Sequence, residues 1–310
     1  MNKKQKIIIS VFIFIVLGIV FGFIYANRTE DIRQSQSIIA GAETDDFEEF
    51  RGKNYNTDLQ TVVFLGIDNN QEVEERSYGY AGQSDAIFVY VMNTKTNQAR
   101  LLQLSRDTMV DLDLYDINGE FYTSSKGQLA LQYAYGDGRE QSCIITSEKI
   151  SQILNNIPIQ AYVSFDMGGI SQVSEAFGGI DLVLDEDFTD IDSSFVKGEK
   201  VHLEGDILET FIRRRDLDAT GSNEARMNHH REILEAFLKK DIDNPSKVLE
   251  AANPYMVSNL KLSEIEHLLD SNIDEDVIVV PGKMVSGQKH DEFYMDEEEL
   301  EKIILDLFYQ

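Results

Sequence analysis

Three apolar runs crowded between residues 61 and 104 commit this chain to a β-sheet before anything else is read. Thr61–Ile67 (TVVFLGI) is continuously apolar, the pattern of a strand buried on both faces. AIFVYVM (86–92) and ARLLQL (99–104) are rich in β-branched, aromatic and aliphatic residues, and NTKTNQ between them is turn chemistry. The last two runs therefore read as a hairpin. In a hairpin the start of one strand lies beside the end of the other. Asp85, just before the first, should meet Arg106 and Asp107, just after the second. Asp68 leaves the end of the buried run seventeen positions before Asp85. If those two strands are neighbours, both carboxylates can reach one ion. Such a group can hold a divalent cation through oxygen and a phosphate through a planar fork of N–H donors. The alternative is an ordinary solvated ion pair flanking a hairpin.

The rest of the chain alternates. TMVDLDLY (108–115) reads as an edge strand, with a turn at Asn118-Gly119. Residues 126–135 (KGQLALQYAY) read as helical, and Thr146 reads as the cap of a second helix through Leu154. A strand follows at 160–165, and Asp166 is expected to cap a helix that runs to Phe177 and ends at Gly178-Gly179. Another strand lies in IDLVLDE, then a short helix at 203–215 (LEGDILETFIRRR) and a longer one from Arg226. Helices around NPSKVLEAANPYMV and LSEIEHLLD, a strand in DVIVVPG and a closing acidic helix complete the chain. This alternation predicts an α/β fold with a mixed central sheet flanked by helices.

Charge narrows the function. A formal net charge of −27 argues against nucleic acid and against an anionic lipid surface as partners. Against that background, RRR at 213–215 followed by RMNHHR at 226–231 is a local reversal of sign. Arg226, His229 and His230 stand in the first turns of their expected helix, where unpaired N–H groups favour an anion. A solvated basic face is the competing reading. His229 and His230 are adjacent, so they do not share a helical face as an i,i+4 metal pair would. Cys143 is the single cysteine, which excludes an internal disulfide and reads as a small buried hydrophobe.

Residues 1–6 carry three lysines, and Ile7–Tyr25 then runs nineteen residues without a charge. Roughly 20 apolar residues span a bilayer as a helix. The lysines put the N-terminus in the cytoplasm and the rest of the chain outside the cell. A cleaved signal peptide is the alternative, though its apolar core is usually shorter, about 7–15 residues. The domain plan is a cytoplasmic tail (1–6), a transmembrane anchor (7–25), an acidic stalk (26–58) and an extracellular domain (59–310).

The segments FLGID, SDAIFVYVMN, LLQLSRDTMV, FGGIDLVL, LEGDILETFIRRRD and NEARMNHHREIL resemble the LytR–CpsA–Psr family in order and spacing, over roughly residues 60–240. The resemblance implies an αβα sandwich on the outer face of a Gram-positive membrane. It implies a ligase that moves a glycopolymer, such as wall teichoic acid or capsule, from a polyprenyl-pyrophosphate carrier to peptidoglycan as a phosphodiester. Asp68 and Asp85 match the family's acidic residues for Mg²⁺ (or Mn²⁺), and one of them, Asp68 first, would serve as the base. Arg106 matches the arginine of the family's SxPRD-like segment, expected to be catalytic and to bind the pyrophosphate, with Ser105 where proline is more usual. Arg213, Arg215 and Arg226 match residues that grip the pyrophosphate. His229 and His230 replace an arginine and a glutamine of that grip, which should weaken it or make it pH-dependent. The alternatives are a binder or sensor of lipid-linked wall precursors and a polyprenyl-pyrophosphate pyrophosphatase.

Overall fold

The run expected to be a doubly buried strand is one, and the sheet grows outward from it. The computed structural model describes residues 40, 47–184, 186–213, 245–261, 271–273, 277–286 and 291–310. In chain order the first described elements are β1 (Glu49–Phe50), β2 (Lys53–Asn54), β3 (Leu59–Ile67), β4 (Ser84–Asn93), β5 (Gln98–Leu104), β6 (Met109–Tyr115) and β7 (Phe121–Gln128). Helix α1 (Glu140–Ile153), β8 (Ala161–Asp166), α2 (Ile170–Phe177), β9 (Ile180–Val183), β10 (Lys200–Leu203) and α3 (Asp206–Arg213) come next. The last are α4 (Pro245–Ala252), β11 (Met256–Ser258), β12 (Asn272–Ile273), β13 (Ile278–Val279), β14 (Gly282–Ser286), β15 (Asp291–Met295) and α5 (Glu297–Phe308).

The central sheet runs in the order β11-β8-β3-β4-β5, with β12 and β13 both along the outer edge of β5. It is mixed. β3 is antiparallel to β4, and β4 to β5, whereas β3 is parallel to β8. Side chains alternate between faces with a period of two. Val63, Leu65 and Ile67 of β3 and Ile87, Val89 and Val91 of β4 join one core with Cys143 and Ile150 of α1 and Leu300, Ile304 and Leu307 of α5. On the opposite face Phe64 and Tyr90 meet edge to face, 6.1 Å between ring centres. Helix α5 starts as its sequence demands: the Asp296 side chain accepts from Glu299 N at 3.2 Å, and Glu297, Glu298 and Glu299 fill the first turn.

The chain divides into two compact units, one containing residues 167–255 and the other the sheet. In the smaller unit α2 packs on α3 and α4, β9 pairs antiparallel with β10, and Phe188 stacks on Phe211 at 4.4 Å. Gly178, left-handed at φ 76°, ends α2 as expected.

Several local expectations are corrected. Residues 126–135 are not a helix. β7 continues through Gln128 because its backbone pairs with β6, and two short 3₁₀ turns, Leu129–Leu131 and Tyr133–Tyr135, follow. Helix α1 begins at Glu140, not at Thr146. Asp137 Oδ1 accepts from Arg139 N (2.8 Å) and Ser142 N (3.1 Å), so it organises the entry, and Thr146 Oγ1 bonds back to Ser142 O inside the helix (2.7 Å). Asp166 ends β8 rather than capping a helix; a 3₁₀ turn, Met167–Gly169, separates it from α2. Residues 47–58, expected within the stalk, are folded. Phe47, Phe50, Tyr55 and Tyr309 pack their rings together, and the backbones of Asn54 and Gln310 exchange hydrogen bonds. The expected anchor at 7–25 lies outside the described residues, among which no helix is long and apolar enough to cross a membrane. The expected helix from Arg226 also lies outside them.

Candidate active site

The hairpin brings together the residues that the sequence set on either side of it. Strand β3 pairs with β4 down to Ile67 opposite Ser84, and Asp68 N then donates to Gln83 O at 2.9 Å. Asp68 and Asp85 each directly follow one member of that last pair, so the two carboxylates leave adjacent strands at one end of the sheet. Asp85 stands one residue inside β4 rather than before it. Asp68 is exposed and Asp85 half-buried.

Arg106 lies two residues past the end of β5, and its guanidinium is held from several sides. Nη1 donates to Asp85 Oδ1, Nη2 donates to Gln83 Oε1 at 2.6 Å, and Nε lies 3.5 Å from Asp107 Oδ1. The Arg106 side chain is 25% exposed and that of Asp85 21%. Among the described residues, hydrogen bonds occupy two of the five N–H donors, which fixes the plane of the fork while leaving donors for a phosphate oxygen. Asp107 is itself anchored: the same Oδ1 accepts from Gln128 Nε2 at 2.7 Å, and its backbone O accepts from Phe293 N at 2.9 Å. Ser105 shapes the turn that presents Arg106. Its carbonyl accepts from Thr108 Oγ1 (2.7 Å) and Thr108 N (3.1 Å). A hydrogen-bonded turn thus does here what a proline would do by fixing φ.

Asp68 and Asp85 offer hard carboxylate oxygens from two neighbouring strand ends. That donor set fits Mg²⁺, which is commonly held by one or two carboxylates with phosphate and water completing its shell. Among the described residues no group of three or more His, Cys, Asp or Glu is arranged to hold a metal. Of the residues expected to grip a pyrophosphate, Arg213 is the last residue of α3, where only the backbone is described. Arg215, Arg226, His229 and His230 lie outside the described residues.

Two polar neighbours at this end of the sheet were not read as such from the sequence. Gln83 gives Arg106 its second acceptor, and its place beside Ser84-Asp85 is the signal that could have found it. Asp166 closes β8 next to this end of β3, almost fully buried, and desolvation raises its carboxyl to about 7. Cys143 is buried, and desolvation pushes its thiol up to about 12, which makes it a packing residue. At the opposite end of the hairpin a cleft of about 460 Å³ opens beside Asn93, Gln98, Arg100 and Asp306.

The model of the LytR_cpsA_psr family matches residues 23–306. The chain belongs to that family. The polyisoprenyl-teichoic acid–peptidoglycan teichoic acid transferase TagU of Enterococcus faecalis is 27% identical over 256 residues, covering 78% of this chain and 77% of TagU. The corresponding transferase TagV of Bacillus subtilis is 29% identical over 216 residues, covering 66% of this chain and 50% of TagV. The chain thus spans only about half the length of that Bacillus relative. The crystal structure of B. subtilis TagV superposes with a TM-score of 0.56 at 22% identity, covering 81% of this chain and 97% of that one. This likeness carries the fold, a mixed α/β sheet with helices.

Proposed function

We propose that this LytR–CpsA–Psr protein transfers a glycopolymer from a polyprenyl-pyrophosphate carrier to peptidoglycan, forming a phosphodiester with Mg²⁺ (or Mn²⁺) assistance. The observation that carries the reading is the Arg106 fork, held by Asp85 and Gln83 beside Asp68 in a chain of this family. The names of TagU and TagV, teichoic acid transferases acting on polyisoprenyl-linked material and peptidoglycan, support the substrate class.

A peptidoglycan hydroxyl attacks the phosphorus that carries the glycopolymer. A new P–O bond forms, the bond to the polyprenyl phosphate breaks, and that phosphate leaves with the electron pair. Bound through Asp68 and Asp85, the cation would neutralise charge on the pyrophosphate oxygens. Arg106 stabilises the charge that develops on the leaving side, and it does so without reorganising, because Asp85 and Gln83 already fix its plane. Asp68, exposed at the end of a rigid strand, takes the proton of the attacking hydroxyl. The reading includes an αβα sandwich behind one N-terminal transmembrane helix, with the catalytic domain outside the cell. Its support is the uncharged run Ile7–Tyr25 behind three lysines.

The test is a transfer assay on the full chain in detergent, with a carrier-linked sugar, peptidoglycan oligomers and Mg²⁺. The expected result is a metal-dependent phosphodiester product that Asp68→Ala abolishes and Arg106→Ala cuts by about 10²–10³-fold. Carrier binding without product, beside an active relative, would replace the ligase by a binder. Release of the phosphorylated sugar to water alone would replace it by a pyrophosphatase.

A further inference from the structure

The end of β8 holds a carboxylate to which the mechanism assigns no role. Asp166 is 3% exposed and pairs in register with Ile67, so it stands beside the residue that immediately precedes Asp68. Its Oδ2 accepts a hydrogen bond from Asn69 Nδ2. The same amide nitrogen reaches Gln71 O at 3.2 Å, and Asn69 N donates to Ile67 O at 2.8 Å. Asn69 therefore knots the turn that leaves β3 and ties the knot to β8.

The remainder of loop 68–83 is fastened as well. Arg76 N donates to Asp137 O and Gly79 N to Ala134 O, each at 2.7 Å. The Arg76 side chain is 15% exposed, lies against Gly138, and bears its positive charge toward Asp166. Its Nη2 lies 3.9 Å from Glu74 Oε1 and is buried without a hydrogen-bond partner among the described residues. These contacts pin the loop at residues 76 and 79. Asp68 sits at the other end of the loop, where the Asn69–Asp166 bond is a side-chain tie to a neighbouring strand.

A buried carboxylate is an expensive way to fill space beside the fully buried Ile67, since an apolar residue would pack there without a desolvation cost. A carboxylate that bonds the residue next to a metal-binding carboxylate does something packing cannot. Partners one shell out from a metal typically change its affinity about 10–100-fold when removed.

We propose that Asp166 is a positioning residue: through Asn69 it fixes the turn at 67–71 and holds Asp68 in the geometry that a divalent cation requires. The inference rests on the reading of Asp68 as a cation ligand, and the experiment separates the two. The full chain in detergent is titrated with Mn²⁺ alone, and free Mn²⁺ is followed by its electron paramagnetic resonance signal. Asp68→Ala should abolish specific binding. Asp166→Ala should weaken it about tenfold, and Asn69→Ala equally, with the double variant no weaker than either single. Asp166→Asn keeps an acceptor oxygen for Asn69 and should stay within about threefold of the wild type. Should Asp166→Ala fail to fold, Asn69→Ala, at the half-buried partner, carries the test.

Binding unchanged in both Asn69→Ala and Asp166→Ala, with Asp68→Ala abolished, would overturn the positioning role and leave the cation site standing. Asp166→Asn as weak as Asp166→Ala would also overturn it, because charge and not the hydrogen bond would then matter. Binding unchanged in Asp68→Ala would remove the cation reading itself, and this inference with it.

Discussion

At one end of the β4–β5 hairpin Arg106 pairs with Asp85; at the other Arg100 pairs with Asp306 at 2.6 Å. The two pairs are chemically alike and physically different. The side chains are 25% and 21% exposed in the first pair and 39% and 66% in the second. Arg106 has a second fixed acceptor in Gln83 and a neighbouring carboxylate in Asp107, whereas Asp306 is the one hydrogen-bond acceptor described for the Arg100 side chain. Water screens an exposed pair to a net worth near zero, while a half-buried fork held from several sides is preorganised for an anion. The 460 Å³ cleft lies beside the exposed pair. Cleft volume and the way a side chain is held thus point to opposite ends of the hairpin, and the proposed function follows the second.

The largest effect that could break this contrast is on turnover. Arg106→Ala should lower the transfer rate by about 10²–10³-fold, the usual loss of one preorganised charge-stabilising donor. Arg106→Lys should recover only part of it, since an ammonium cannot reach Asp85 and Gln83 as a planar fork does.

A second test reads the desolvation of the site end through pH. Burial raises the Asp166 carboxyl from 3.8 to about 7 in the folded chain. Between those values the folded state keeps a proton that the unfolded state releases. The contribution to stability is therefore full below about pH 4 and is lost as pH rises through about 7. Urea titrations should show the wild type losing about 4 kcal/mol more than Asp166→Asn across that window. Equal slopes for the two would mean that this end of the sheet is as wet as the other.

The smallest effect is at the exposed pair. Arg100→Ala should change transfer less than about twofold and unfolding free energy by less than about 1 kcal/mol. A large loss there would move the site to the cleft.

The contrast also explains what the sequence could disclose. The hairpin, its turn and the convergence of Asp85 with Arg106 were legible because apolar periodicity and turn chemistry are local signals that agree with the sheet. The 126–135 segment was not, because its first three residues pair with β6, a partner whose pull no local propensity shows. Helix α1 hid its first turn because Asp137, three residues before Glu140, supplies the hydrogen bonds that a cap would, and Arg139 at the cap position makes none. Asp166 looked like a cap because an acid before Met-Gly-Gly is polar punctuation; only the parallel register of β8 on β3 turns it toward Asn69. Residues 47–58 looked like linker because the partners of their aromatic rings lie in part at the far end of the chain, at Tyr309.

The measurement that bears most directly on the central claim is hydrogen exchange of the full chain with and without a short polyprenyl pyrophosphate and Mg²⁺. New protection is expected in peptides spanning 67–86 and 104–109, with 93–100 unchanged. Protection at 93–100 and around Asp306, with 67–86 unchanged, would contradict that claim and put the substrate in the cleft.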